Sequence, residues 1–220
     1  MEYKRLTILC GHYGSGKTNI AVNMAFDIKK SYNNVCVADL DIVNPYFRTK
    51  DSEEEFKKEG IRLICSEFAS SNVDLPSLPD DLYAITDDKS MKVVLDIGGD
   101  ERGALALGRL APLILEENDY EMYFVVNKFR PLTQDVLSTI EVKEEIENAC
   151  HIKFTGIINN SNVGEETKKE DILSSLEYAK DLSEKTNLPV VMTTVKKEFC
   201  KELENEIHNL FGLSLQKKPI

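Results

Sequence analysis

The sequence predicts an α/β fold in which helices cover both faces of a mainly parallel sheet. Apolar runs of strand length, dense in Val, Ile and Leu, alternate with segments whose apolar residues recur at helical spacing. Strands of that composition, each followed by a helix, are typical of a parallel sheet buried on both sides. The chain has 220 residues, 42% of them hydrophobic, and no linker rich in Gly, Ser or Pro. We therefore expect one domain over residues 1–220.

Four of the predicted strands lie in the first half of the chain, at residues 6–10, 35–38, 61–64 and 92–95. After the first strand, apolar residues repeat at helical spacing through Ile20, Met24 and Ile28. A charged stretch before the third strand is also predicted to be helical. Residues 66–90 are the least regular part, because Pro76 and Pro79 break any pattern. We expect that segment to cover or border another part of the molecule.

The second half continues the alternation of strands and helices. Its predicted strands are residues 123–126, 154–158 and 189–192, and its predicted helices are residues 105–113, 133–149 and 172–179. A last helix is predicted to carry Phe199, Leu203, Ile207 and Leu210 on one face. We expect this terminal helix to dock on the sheet.

Composition argues against several classes of partner. The net charge is −11, so the average surface repels nucleic-acid backbones and anionic lipid. Of the five cysteines, none forms a Cys-x-x-Cys pair, which argues against disulfide frameworks and zinc sites; Cys10 and Cys36 fit the apolar strands as small core residues. The chain has no signal-peptide pattern and no apolar run of membrane-spanning length. We expect a cytoplasmic protein with no stable membrane association.

A glycine-rich loop with the sequence Gly-His-Tyr-Gly-Ser-Gly-Lys-Thr connects the first strand to the first helix. Its glycines allow a tight turn whose N–H groups point at phosphate oxygens, and the following helix adds its positive end. Lys17 is expected to reach the β- and γ-phosphates, and the Thr18 hydroxyl to bind Mg²⁺. The alternative is a glycine-rich turn without a ligand. The predicted nucleotide contacts are Gly11, Tyr13, Gly14, Ser15, Gly16, Lys17, Thr18 and Asn19.

Carboxylates follow two of the predicted strands. Asp39 and Asp41 end the second strand, and Asp96 ends the strand at 92–95. Magnesium prefers oxygen ligands, and parallel strands bring their carboxyl ends to one edge of the sheet. Gly99 follows Asp96 closely enough for its N–H to approach a γ-phosphate. The alternative is that these aspartates cap helices or begin turns.

The chain carries a phosphate loop, then a strand that ends in Asp39-Leu40-Asp41, then a strand that ends in Asp96. In this order of motifs it resembles the MinD/ParA/CobQ-CobB family, and the resemblance extends over essentially the whole chain. The resemblance implies a three-layer P-loop NTPase fold and ATP in preference to GTP. It also implies that Asp41 orients or activates the attacking water and that Asp96 reaches Mg²⁺, with Asp39 as a further metal candidate. One departure is His12, which stands where family members that dimerise around ATP carry a second lysine. A nucleotide-sandwich dimer is therefore in doubt, and both a monomer and a homodimer stay open.

Base recognition is expected from the loop after a late strand. The amides of residues 159, 160 and 162 can pair with a purine edge. The resemblance selects Asn159, and the alternative is a solvent-exposed turn. The sequence Asn127-Lys128-Phe129 approximates a guanine-binding signature, but Arg130 replaces its aspartate. Guanine specificity loses support, and Asn127, Arg130 and Gln134 are expected at the rim of the site.

Three functions fit these features. The first is a nucleotide-driven switch that ATP hydrolysis resets and an unknown protein partner recognises. The second is an ATP-dependent enzyme that phosphorylates a carboxylate, similar to dethiobiotin synthetase or cobyrinate amidase domains, with Arg48, Arg102 and Lys128 as cations for a small acidic substrate. The third is a nucleotide-binding module without hydrolysis. The segment 45–48, which follows Asp41, is expected either to bind a partner or substrate or to pack. We prefer the switch.

Overall fold

A computed structural model of the chain describes residues 2–41, 49–65 and 80–215. Within these ranges, eight strands form one sheet in the order β3-β2-β4-β1-β5-β6-β7-β8, and every neighbouring pair is parallel. The strands are β1 Leu6–Cys10, β2 Val35–Leu40, β3 Arg62–Cys65, β4 Lys92–Ile97, β5 Tyr120–Val126, β6 Gly156–Asn159, β7 Val190–Lys196 and β8 Leu210–Leu213.

Helices follow most of the strands. They are α1 Lys17–Lys29, α2 Glu53–Glu59, α3 Asp80–Asp87, α4 Glu101–Glu117, α5 Val136–Cys150, α6 Lys169–Thr186 and α7 Cys200–Leu203. The N-terminal caps of α4 and α5 are aspartates, Asp100 and Asp135, whose carboxylates accept backbone N–H groups of the first turn. None of the described helices is long and apolar enough to cross a membrane.

Two large hydrophobic clusters lie on opposite faces of the sheet. In β1, Ile8 packs against the cluster built with α4, α5 and α6, whereas Leu9 packs against α1 and α2. Successive strand residues point to opposite faces, so a strand buried on both sides is apolar throughout. The three-layer α/β prediction is confirmed.

The order of the strands places β1 between β4 and β5. The chain runs from β1 to β2 on one side of β1, and later from β4 to β5 on the other side. Parallel α/β sheets open a crevice at the carboxyl ends of the strands at such a switch point. Asp39 of β2 and Asp96 of β4 are register partners at this edge. The fold thus brings the two aspartate motifs together beside the loop that follows β1.

The prediction of a terminal helix that extends to Leu210 is wrong. Only the short helix α7 forms, and Leu210 begins strand β8 instead. β8 pairs in parallel with β7, so backbone hydrogen bonds to the sheet replace the expected helix docking. The irregular segment 66–90 contains helix α3 at its end, while Pro76 and Pro79 lie outside the described residues.

Candidate nucleotide-binding site

The loop of residues 11–16 joins β1 to α1 at the carboxyl edge of the sheet. Gly14 and Gly16 have φ values of 76° and 88°, a left-handed conformation that glycine adopts without a steric penalty. Helix α1 then begins at Lys17, so its unpaired N–H groups point toward the loop. The Lys17 ammonium is buried and donates to the backbone carbonyl of His12 at 3.3 Å. This geometry forms a concave anion-binding site.

Asn160, directly after strand β6, secures the loop, a contact that the sequence did not predict. Its Nδ2 donates to the carbonyl of Ser15 at 2.6 Å, and its Oδ1 accepts the hydroxyl of Thr194 on β7. A Cβ added to Gly16 would lie 2.2 Å from this Nδ2, so no side chain fits there. Asn160 therefore links the loop to two strands, and it also lines the adjoining cavity.

The loop after β4 packs directly on the backbone of the phosphate loop. A Cβ added to Gly99 would lie 2.5 Å from the backbone nitrogen of Tyr13 and 2.9 Å from the carbonyl carbon of His12. Gly99 is therefore required for this close approach. Asp100, the next residue, caps α4, so the two loops and the start of α4 are in continuous contact.

Asp39 and Asp96 form a buried carboxylate pair on adjacent strands. Asp96 is fully buried, and its Oδ1 has no hydrogen-bond partner within the described part of the chain. Burial, with the neighbouring Asp39, raises the pKa of Asp96 to about 7. Burial likewise raises the pKa of Asp39 to about 6, with a contribution from Asp41. Two close, buried carboxylates favour a protonated form, although the charge of Lys17 opposes the rise in the Asp96 pKa.

Thr49 lies between these carboxylates. It is fully buried, and its hydroxyl donates to Asp96 Oδ2 at 3.2 Å. Its backbone N–H donates to Asp39, and its hydroxyl also lies within hydrogen-bonding reach of that carboxyl; both interactions oppose the rise in the pKa of Asp39. Thr18 at the start of α1 donates its hydroxyl to Asp96 as well. Two hydroxyls and two carboxylates thus form one oxygen-rich cluster.

This cluster fits a magnesium ion. Mg²⁺ takes oxygen ligands, typically one or two carboxylates with phosphates and waters. The unpartnered Oδ1 of Asp96 is a buried acceptor of the kind that a cation satisfies. Thr18, Asp96 and Asp39 are therefore the residues that would hold the ion, and their role as metal ligands stays a prediction.

Asp41 and Lys17 flank the cluster. The Asp41 backbone N–H donates to Asp39 Oδ1 at 2.9 Å, and Asp41 lines the cavity beside the phosphate loop. Burial lowers the pKa of the Lys17 ammonium, whereas the carboxylates of Asp96 and Asp41 raise it. Bound phosphates would add further negative charge and favour the charged lysine.

A cavity of about 700 Å³ extends from the phosphate loop. One end is formed by residues 13, 14 and 16–19 together with Asp41 and Arg130. The other end combines polar groups after β6 with apolar side chains of β7 and β8; it includes Asn160, Asn162, Val163, Thr167, Val195, Leu213 and Leu215. Its volume is within the range of cofactor-sized sites, and its two ends suit a phosphate chain and a purine base.

The comparison of the sequence with protein families decides the class of this site. The model of the CobQ/CobB/MinD/ParA nucleotide-binding domain matches residues 6–210. The chain belongs to this family. It is therefore a nucleotide-binding protein of the P-loop NTPase class, and the family resemblance read from the sequence is confirmed. No curated protein matches the sequence.

Solved structures with this fold are distant in sequence. The cell division protein FtsY of Thermotoga maritima superposes with a TM-score of 0.59 at 16% identity, covering 86% of this chain and 61% of that one. The signal recognition particle 54 kDa protein of Aeropyrum pernix, in complex with GDP, gives 0.55 at 15%, covering 87% and 41%. A nucleotide-binding protein of Archaeoglobus fulgidus, in complex with ADP, gives 0.51 at 12%, covering 90% and 85%. The chain spans about three-fifths of the FtsY length, and these likenesses show the fold alone.

Within this family member, the predicted phosphate contacts fall along one wall. Tyr13, Gly14, Gly16, Lys17, Thr18 and Asn19 line the cavity. Tyr13 is half exposed at its mouth, and Ser15 is buried behind the loop. Gly11 sits deeper, where an added Cβ would lie 2.2 Å from the carbonyl oxygen of Val125. Gly11 and Ser15 therefore shape the loop from behind.

Asn159 does not face the cavity. It is fully buried, its Nδ2 donates to Ser175 at 2.8 Å, and its Oδ1 accepts the hydroxyl of Ser161 at 2.7 Å. Base recognition by Asn159 stays a prediction. Asn160 and Asn162 line the cavity, although their side-chain amides already bond other groups of the protein. The sequence pattern places three amides within four positions, but it does not indicate which of them turn toward the cavity.

The loop after β5 meets the expectation for Arg130 but not for Asn127. The Asn127 amide is buried and bonds the backbone of Asn162. Arg130 reaches the phosphate loop, where its Nε donates to the carbonyl of Gly14 at 2.9 Å. Segment 42–48, including Arg48, lies outside the described residues.

Proposed function

We propose that this chain binds ATP with Mg²⁺ and hydrolyses it, acting as a nucleotide-driven switch. The observation that carries the proposal is that the phosphate loop and Asp41 line one end of the cavity. The Asp39–Asp96 pair is buried next to them, and Asp39 accepts the Asp41 backbone N–H. A triphosphate in the loop would place its terminal phosphate toward these carboxylates. The arrangement supplies positioning and charge, which are the main requirements of phosphoryl transfer.

Each group has a distinct task in this mechanism. The N–H groups of the loop, the start of α1 and the Lys17 ammonium bind phosphate oxygens. Thr18, Asp96 and Asp39 hold the magnesium ion, which when bound neutralises charge on the phosphates. Asp41 accepts a hydrogen bond from water and orients it for attack on the γ-phosphorus. The new oxygen–phosphorus bond forms as the bond to the bridging oxygen breaks, leaving ADP and phosphate.

The contact of the two loops supports a switch. Gly99 rests on the backbone of Tyr13, and Asp100 caps α4. A phosphate that shifts the phosphate loop would therefore shift the start of α4 as well. Such a displacement is a structural difference that a protein partner can recognise.

The positions of the cations favour the switch over the small-molecule enzyme. The Lys128 ammonium donates to the carbonyl of Ser174 at 2.8 Å, on α6. Arg102 is exposed on α4 and is not among the described residues that line the cavity. An acidic substrate bound beside the γ-phosphate would therefore contact neither Lys128 nor Arg102.

The base end of the cavity is the basis for preferring ATP. Arg130 occupies the position at which the guanine-binding signature has an aspartate. The Asn127 side-chain amide hydrogen-bonds the backbone of Asn162 through both its nitrogen and its oxygen. Of the neighbouring structures reported above, one contains GDP and another contains ADP, so they do not distinguish the two bases. Calorimetry with ATP and GTP in the presence of Mg²⁺ is therefore the first measurement, with tighter binding of ATP expected.

The decisive experiment pairs two substitutions in the site. Lys17→Ala removes a charge-assisted contact and should weaken ATP binding about 100-fold, since such contacts contribute about 3 kcal/mol. Asp41→Asn should leave the calorimetric affinity within about threefold and slow hydrolysis about 100-fold, the contribution of a positioned general base. Lys185→Ala, at an exposed position on α6, is the control and should change neither quantity. Wild-type affinity in Lys17→Ala would refute the site, and wild-type turnover in Asp41→Asn would refute the role of Asp41.

A further inference from the structure

Arg130 is presented to the phosphate loop by a rigid connection between β5 and α5. The Asn127 carbonyl accepts both the Arg130 N–H at 3.0 Å and the Thr133 hydroxyl at 2.6 Å. The Lys128 N–H donates to Ser161 at 3.0 Å, which joins the connection to the loop after β6. Asn127 and Thr133 are both buried. The backbone that carries Arg130 is thus fixed from two sides.

The side chain of Arg130 lies over the phosphate loop itself. Its Nε donates to the carbonyl of Gly14, and its guanidinium carbon would be 3.5 Å from a Cβ at that glycine. Arg130 lines the cavity with Lys17 and Thr18. The loop is therefore flanked by two cations, with Lys17 buried on the inner side and Arg130 exposed on the outer side.

Arg130 forms no ion pair with an acidic residue in the part of the chain that the structure describes, although the chain contains 38 acidic residues. A guanidinium stays protonated at any relevant pH and offers a planar set of donors that matches phosphate oxygens. The donors beyond Nε are available to a ligand in the cavity.

We propose that Arg130 is a catalytic residue that stabilises the charge of the transferring phosphoryl group from within the same chain. This inference rests on the proposed hydrolysis and names a group that completes it. As water attacks the γ-phosphorus and the bond to the bridging oxygen breaks, negative charge develops on the equatorial and leaving oxygens. Arg130 donates hydrogen bonds to that charge and transfers no proton. Hydrolysis then needs no cation from a second copy.

The test separates charge from the support that Arg130 gives to Gly14. Arg130→Ala should lower single-turnover hydrolysis of Mg·ATP about 10³-fold, the lower end of what a phosphoryl-stabilising arginine contributes, with the affinity for ADP within about threefold. Arg130→Gln keeps a donor for the Gly14 carbonyl, and its hydrolysis rate should fall as far as that of Arg130→Ala. Arg130→Lys should recover part of the rate. Arg109→Ala, at an exposed position on α4, is the control.

Two further measurements complement the rates of the variants: the first needs no turnover, and the second needs no variant. Wild-type protein should bind ADP more tightly when aluminium fluoride supplies a planar phosphoryl mimic, and Arg130→Ala should lose that gain. The hydrolysis rate per chain should stay constant over a 100-fold range of protein concentration, as expected for a group acting in cis. The inference would be overturned if wild type and Arg130→Gln had equal hydrolysis rates and gained equally in ADP affinity from aluminium fluoride. A hydrolysis rate per chain that rises with protein concentration would also overturn it. A wild-type chain that binds no nucleotide would instead overturn the proposed function together with it.

Discussion

Thr49 is the residue whose hydroxyl holds the buried carboxylates in place. It is fully buried and hydrogen-bonds both Asp96 and Asp39. Thr49→Val keeps the shape of the side chain and removes the hydroxyl, so a buried carboxylate loses a donor. We expect the free energy of unfolding, measured in urea with EDTA, to fall by about 1–2 kcal/mol, the cost of a lost hydrogen bond to a buried polar group.

Thr186→Val, near the end of α6, is the matched control because its hydroxyl bonds only the carbonyl of Leu182 in its own helix. A change below about 0.5 kcal/mol is expected there. If both variants behaved alike, the Thr49 hydroxyl would contribute nothing to the cluster.

At the residue scale, the sequence predicted the contacts that are contiguous along the chain. The loop at residues 11–18 carries its own spacing signal, and Lys17 and Thr18 lie where that signal places them. Asn160 was missed as an anchor because it bonds Ser15 across 145 positions. Thr49 was missed because it bonds Asp96 across 47 positions. Pairing over such separations depends on the sheet order, which local patterns do not encode.

At the element scale, the error at the end of the chain has a definite cause. Leu203 and Ile207 do pack on one side, in a small cluster with Ile172 and Val195. The helical spacing was therefore a real packing pattern, but a short helix and a turn produce it equally well. From Leu210 onward, pairing with the edge of β7 overrides the weak helical preference of a four-residue segment.

Asn23 of α1 anchors the end of β8. Its Nδ2 donates to the carbonyl of Ser214 at 2.9 Å, and its Oδ1 accepts the Ser214 N–H at 2.8 Å. Leu213 and Leu215, on either side of Ser214, line the base end of the cavity. Asn23→Ala should therefore raise the hydrogen-exchange rate of β8 amides at least about tenfold, since two bonds of about 1 kcal/mol each are lost.

Asn23→Ala should weaken nucleotide binding less than Lys17→Ala does, because the phosphate-binding end of the cavity stays intact. Asn33→Ala, at an exposed position after α1, is the control and should leave both exchange and binding unchanged. Unaltered exchange in β8 of Asn23→Ala would mean that pairing with β7 alone holds the strand.

At the scale of the whole molecule, the layered fold was the most predictable feature. Uninterrupted apolar strands can be buried on both faces only in a parallel sheet covered by helices, and that constraint applies to every strand at once. The clustering of Asp39, Asp41 and Asp96 follows from it, because parallel strands end at the same edge. The protonation of the pair does not follow from the pattern, since it depends on how deeply the neighbouring loops bury Asp96.

This burial makes the stability of the metal-free protein depend on pH. The folded-state pKa of Asp96 is raised to about 7, above its ordinary value, by burial and by Asp39 and Asp41, while Lys17 opposes the rise. Between about pH 4 and 7 the folded chain therefore holds a proton that the unfolded chain has lost, so stability falls as pH rises. From pH 5 to pH 8 in EDTA, we expect the free energy of unfolding to fall by about 1–2 kcal/mol from this pair. Asp96→Asn should remove most of this fall in the free energy of unfolding and should be more stable than the wild type at pH 8. Mg·ATP should reverse the fall in the wild type and not in Asp96→Asn. Parallel pH profiles for wild type and Asp96→Asn in urea unfolding would exclude the carboxylate pair as the cause.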